Sequence, residues 1–112
     1  MVTLEEFRKW ALAYPDTEEL PHFQNPSFRV KGRIFGTYHI KDNKAMLFLP
    51  LEEQSVFCAY QEGVFYPVPG MWGSKGATYI SMANVRKDMF KDALQVACTL
   101  VANHKQTRRK KS

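Results

Sequence analysis

Five cations gather about two turn signals in the stretch PSFRVKGRIFGTYHIKDNKAMLFL: Arg29, Lys31 and Arg33 around Lys31-Gly32, and Lys41 and Lys44 on either side of Asp42-Asn43. A hairpin tip carrying Lys or Arg can sit beside a phosphate while the apolar face of the same ribbon stays in the core. This spacing therefore points to contact with a nucleic-acid backbone. Lys31 and Lys44 are the expected phosphate contacts, and Lys75 adds a cation further along the chain. The plainer reading is that strands with one wet face carry Lys and Arg there for solubility and to discourage edge pairing. Arg29 equally suits a structural ion pair with an acid of the first helix.

A second candidate lies in VFYPVPGMWGSKGATYISM, where Gly70, Gly73 and Gly76 free the backbone around Trp72 and Lys75. An aromatic beside a cation stacks on a base or covers a small ligand. The alternative function is thus a small-molecule or protein-interaction module whose shallow pocket is lined by Tyr66, Trp72 and Tyr79. The glycine spacing is not GxGxxG and no helix follows closely, which argues against a phosphate cradle. A Trp in such a loop more commonly lids the core. Catalysis has the poorest case. His22, His39 and His104 are dispersed without HxxxH or HxE spacing, and Ser and Cys fall in no nucleophile-elbow or Cys-His signature. No catalytic residue, metal ligand set or cofactor is expected. Cys58 and Cys98 stand far apart without CxxC spacing, as reduced core or boundary thiols would.

The chain of 112 residues, 45% hydrophobic and 24% charged, has the size and composition of one ordinary globular domain. Its net charge of +5 is unevenly placed. Setting aside the five cations Lys105, Arg108, Arg109, Lys110 and Lys111 leaves 11 Lys plus Arg against 11 Asp plus Glu. The body is therefore neutral, and residues 105–112 are expected to form a basic, flexible tail after a single domain at 1–104. With no apolar run of about 18 residues and no signal-peptide layout, a cytoplasmic protein without membrane contact is expected.

These candidates need elements to hold them. Thr3 and Glu6 form a capping box, and Leu4, Phe7, Ala11 and Tyr14, with Trp10 beside them, mark one buried helical stripe. A short strand is expected at Glu18 to Phe23, with QNPS as a turn. From Phe28 the period becomes two, Phe28 and Val30 facing the core and Arg29 and Lys31 facing water. Lys31-Gly32 makes a tight hairpin into RIFGTYHI, and Asp42-Asn43 turns the chain into KAMLFL. A helix follows Pro50, with Val56, Phe57 and Tyr60 inward and Gly63 ending it. Short strands at Val64 to Tyr66 and Ala77 to Met82 precede a last helix capped by Asn84, with Phe90, Ala93, Leu94, Ala97 and Val101 as its stripe. A largely antiparallel sheet with one apolar face, covered by helices with one stripe each, is an α+β two-layer sandwich.

Three blocks, PSFRVKGRIFGTYHI, EEQSVFCAYQEGVFYPVPGMWGSKGATYISM and FKDALQVACTLVA, resemble the successive blocks of the MmcQ/YjbR family in order and spacing. FRVKG.IF and PVPG.WG..GAT are the most specific parts. The last helix departs from the pattern, with Ala97-Cys98-Thr99 where relatives tend to have AWR. The resemblance implies a CyaY-like (YjbR-like) fold, a twisted antiparallel sheet packed against helices. It also implies non-enzymatic DNA binding through a double-wing arrangement of hairpins. CyaY-like proteins hold iron on an acidic first helix, and Glu5, Glu6, Glu18 and Glu19 form only a thin version of that cluster, which helix capping explains equally well.

Overall fold

The computed structural model describes residues 1–110, with side chains from residue 1 to residue 103. The chain runs α1 (Leu4–Ala11), β1 (Thr17–His22), β2 (Asn25–Val30), β3 (Arg33–His39), β4 (Lys44–Phe48), α2 (Leu51–Tyr60), β5 (Phe65–Pro67), α3 (Met71–Ser74), β6 (Ala77–Ser81) and α4 (Lys87–Lys110). The strands form one six-stranded sheet in the order β1-β2-β3-β4-β6-β5, every neighbour antiparallel. This is the expected α+β architecture. The basic tail predicted at 105–112 has its side chains outside the described residues. Among the described residues, no helix is long and apolar enough to cross a membrane.

The capping box forms as its residues require. Glu6 N–H donates to Thr3 Oγ1 at 3.1 Å and Thr3 N–H to Glu6 Oε1 at 3.0 Å. The same Glu6 carboxylate accepts from Lys87 Nζ at 2.6 Å, which ties α1 to the start of α4 and holds the carboxyl below its usual range. Glu19 accepts from Arg8 Nε at 2.6 Å and Nη2 at 3.0 Å in a bidentate pair. Glu5 lies 3.7 Å from Arg8 as well, so three of the four acids considered for iron face cations instead. The expected α4 stripe is buried along its whole length, from Phe90 to Val101. Phe90 meets Phe7 edge-on at 5.0 Å, and Phe7 packs on Phe28 at 4.5 Å, joining both helices to the sheet.

Several local expectations are corrected. The turn after β1 is Phe23-Gln24 rather than QNPS, because Asn25 and Pro26 already pair with His22 and Pro21. Phe23 takes a positive φ of 61° at this tip. α2 buries Phe57 and Gln54, whereas Val56 and Tyr60 are 63% and 66% exposed. This short helix meets the sheet only through the side carrying Phe57, which stacks on Phe65 at 5.1 Å. Asn84 does not cap α4, which begins at Lys87. Its Nδ2 donates to Ser81 Oγ, and Met89 N–H finds Asp88 Oδ1 instead.

Candidate ligand-binding groove

The helices α1 and α4 cover one face of the sheet and leave the other open. An antiparallel sheet of this kind ordinarily turns polar residues outward. Here Ile34, Met46, Phe48, Ala77 and Tyr79 on the outward side of the central strands are apolar or aromatic, and the register shows how they line up. Thr37 pairs with Met46, Met46 with Tyr79, and Tyr79 with Tyr66, so these four share one row across β3, β4, β6 and β5. Phe48 and Ala77 pair on one side of that row, His39 and Lys44 on the other.

A β-bulge decides which β3 residues join them. The partners of Phe28 and Arg29 step from Gly36 to Ile34, leaving Phe35 as the extra residue. Phe35 is fully buried, and a Cβ on Gly36 would meet Leu47 and Phe7, so both positions look toward the helices. Ile34, Thr37 and His39 therefore all look the other way. Strict alternation from Ile34 would have placed only Ile34 of these three on that face.

The result is a cavity of about 500 Å³, within the range that small-molecule sites occupy. Its floor is Ile34, Thr37, Met46 and Tyr79, and its far wall is Phe48, Val68, Trp72 and Ala77. His22 and His39 close the near end. Trp72 meets Phe48 at 6.5 Å and is 60% exposed, so it walls this groove and is not a lid on the core. Tyr79 touches Tyr66 at 5.7 Å and His39 edge-on at 5.5 Å. The groove thus contains Trp72 and Tyr79 of the expected aromatic trio, with Tyr66 at its margin.

The loop with the wall is fixed from behind. Gln54 Nε2, buried in α2, donates to the carbonyls of Gly73 at 3.1 Å and Ala77 at 3.2 Å, and lies 3.1 Å from Thr78 Oγ1. A Cβ on Gly73 would stand 1.9 Å from Val68 O. Gly73 and Gly76 thus serve close backbone packing, whereas Gly70 stands in open space at φ 85°. The short helix α3 inside the loop had no sequence signal, since its four residues carry two apolar side chains and a glycine.

The cations are dispersed. Lys31 occupies the β2–β3 tip with φ 52°, and Gly32 follows at φ 82°, the pair of positive angles a two-residue hairpin demands. Lys41 lies in the β3–β4 turn, at the opposite end of β3. Arg33 pairs with Val30 and shares its helix-side face, whereas Arg29 pairs with Ile34 on the open face and donates to Ser27 Oγ at 3.4 Å. It is Arg8, not Arg29, that forms the ion pair joining the first helix to the sheet. Lys44 lies along the groove, its Nζ 3.7 Å from the Tyr79 ring centroid and 3.9 Å from Asp42 Oδ2. Lys75 Nζ lies 5.8 Å from the Trp72 ring. Of the six cations considered for nucleic-acid binding, the fold thus brings Lys44 and Lys75 to the aromatic site and leaves Lys31 and Lys41 at opposite ends of β3.

His39 was set aside in the sequence as a dispersed histidine, and it is the most perturbed group in the groove. Burial, and then the nearby Lys44 ammonium, hold its pKa below the usual imidazole range, only partly offset by Asp42. Its Nε2 lies 3.1 Å from Thr37 Oγ1. Proton NMR of the His39 ring is expected to give a midpoint below about 6.5. Because the unfolded chain then binds the proton more readily, His39 makes stability fall as pH drops through about 6.5 toward the folded midpoint. His39→Gln should remove that step from the stability-versus-pH curve, and a midpoint at or above 6.5 would refute the assignment.

No protein-family model matches the chain, and no curated protein does. Among solved structures, the crystal structure of Deinococcus radiodurans protein DR2400, with a DUF419 domain, is similar. It superposes with a TM-score of 0.79 at 18% identity, covering 90% of this chain and 79% of that one. At that identity the likeness is one of fold: a sheet of this topology packed on helices.

Proposed function

We propose that the protein is a binding module that holds a small, flat, largely apolar ligand in the open-face groove. The observation that supports this is the apolar row in a place where solvent-facing residues are expected, enclosed by Trp72 into a cavity of about 500 Å³. A hydroxyl beside an imidazole, as at Thr37 and His39, has the make-up of a nucleophile–base pair. Here the β3 and β4 amides serve the sheet ladder, so the backbone of these strands forms no oxyanion hole. The reading is therefore one of binding, without a catalytic step.

The resemblance to the MmcQ/YjbR family belongs to the same proposal, because its most specific block, PVPG.WG..GAT, is the loop that builds the groove wall. Phosphate-backbone contact with DNA through the hairpin tips is the weaker reading. The two tips lie at opposite ends of β3, and Lys44 is turned to Tyr79 and Asp42. The two tips therefore do not form one compact basic patch.

The test is ¹H–¹⁵N NMR with a panel of mono- and bicyclic compounds at millimolar concentration. Shifts confined to the Trp72 indole N–H and to the amides of Thr37, Met46 and Tyr79 are expected. Trp72→Ala should weaken binding by about tenfold while leaving the remaining spectrum in place, as base–aromatic stacking losses of this size suggest. A panel that moves no groove resonance would overturn the proposal.

A further inference from the structure

Resting on that reading of the groove, we infer that its ligand is an anion, a flat aromatic ring bearing a carboxylate, with the acid group received by Lys44. No charged side chain other than the two histidines lines the cavity itself, so its charge preference is set at its margins. Cations stand around it instead: Lys44 over Tyr79, Lys75 beside Trp72, and Arg29 opposite Ile34 in the register. The acids within reach are Glu18, which pairs with Arg29 on the side away from Ile34, and Asp42 in the β3–β4 turn.

Lys44 is the decisive residue. Its side chain is only 20% exposed, so its stem is held against the sheet and its ammonium is kept at this place. What it meets there is a ring face at 3.7 Å and a carboxylate oxygen at 3.9 Å, beyond hydrogen-bond length. An ammonium held in place with no acceptor within hydrogen-bond length among these contacts gains from an anion that can reach it. The geometry supplies such an anion's route. Lys44 pairs with His39, which closes the near end of the cavity, and Tyr79 under the Lys44 ammonium is part of the floor. A ring lying along Met46 and Tyr79 toward Trp72 would carry its acid group to that end. A neutral His39 and the Thr37 hydroxyl are there to complete the hydrogen bonding. Trp72 is the most exposed ring of the site, whereas one face of Tyr79 is occupied by Lys44. One ring system, rather than a succession of stacked bases, is what these two aromatics can hold.

The experiment uses three ligands of one shape: 2-naphthoate, 2-naphthalenemethanol and 2-naphthylmethylammonium, titrated by NMR into the full chain, Lys44→Met, Lys44→Arg and Asp42→Asn. The expected result is that the unaltered protein binds the naphthoate at least tenfold more tightly than the alcohol, and the ammonium most weakly. Lys44→Met should erase the preference for the acid over the alcohol, read as the ratio of the two affinities within the variant. Lys44→Arg should keep the preference, and Asp42→Asn should increase it. Equal binding of alcohol and acid at the groove would overturn the inference while the groove itself stood. A preference for the acid that survives Lys44→Met would overturn the role of Lys44. If none of the three shifts a groove resonance, the ligand site falls and the inference falls with it.

Discussion

Phe90→Ala is expected to cost about 3 to 5 kcal/mol, the usual loss for deleting a fully buried aromatic ring. Phe90 is 0% exposed and packs α4 on α1, edge-on to Phe7 at 5.0 Å and tilted against Trp10 at 6.3 Å. A cavity there cannot be filled by a local shift, because Phe7 is itself held against Phe28 on the sheet. Whole-domain stability is typically about 5 to 15 kcal/mol, so the variant should lie near the edge of folding. At about 4 °C per kcal/mol for a chain of this size, Tm should fall by roughly 12 to 20 °C. Phe23→Ala supplies the contrast, since the Phe23 ring at the β1–β2 tip is 90% exposed and its loss should change stability by less than about 0.5 kcal/mol. Urea unfolding of the two variants checks both, and equal midpoints would show that α4 is not anchored through Phe90.

Gly76→Ala should be nearly as severe, for a different reason. Gly76 has φ 109°, a conformation that side-chain-bearing residues rarely adopt, and a Cβ there would stand 2.1 Å from Leu49 O. The two backbones cannot separate freely, since Leu49 N–H donates to Gly76 O at 3.0 Å and so joins the end of β4 to the start of β6. Strain of about 1 to 3 kcal/mol from the dihedral adds to a similar cost of overpacking, for a total of about 3 kcal/mol or more. Gly63→Ala isolates the first effect. Gly63 has φ 84° with nothing within 4 Å, so only the dihedral strain remains. Thermal unfolding of the pair should place Gly76→Ala well below Gly63→Ala, and the Trp72 indole resonance should move in the former alone. If the two variants melt together, close packing of this loop on β4 is not what requires glycine.

The fold was largely legible because the signals that specify it are local. The capping box at Thr3 and Glu6, the α4 stripe, the Lys31-Gly32 hairpin and the switch to a period of two each depend on a few neighbouring residues. The groove was only half legible. Trp72, Tyr66 and Tyr79 were singled out from composition around the Pro/Gly loop, and the fold places them together. His39 and Thr37 were missed because the bulge at Phe35 breaks the alternation from which their direction would be read. Met46 and Phe48 did carry a signal. In KAMLFL two of the three positions facing away from the core, Met46 and Phe48, are apolar, where a solvated sheet face would ordinarily be polar. The hairpin cations misled for a topological reason: successive turns of a meander fall at alternate ends of the sheet, so closeness in sequence separates Lys31 from Lys41 in space.

The hydrogen bonds from Gln54 to Gly73 and Ala77 have a bearing on how selective such a groove can be. They run from the interior to the back of the Trp72 loop, so an arriving guest meets a wall already in place and spends little of its contact energy on ordering it. Rigidity of that kind rewards a narrow choice of molecular outline, because a poorly shaped guest cannot recruit the wall to fit it.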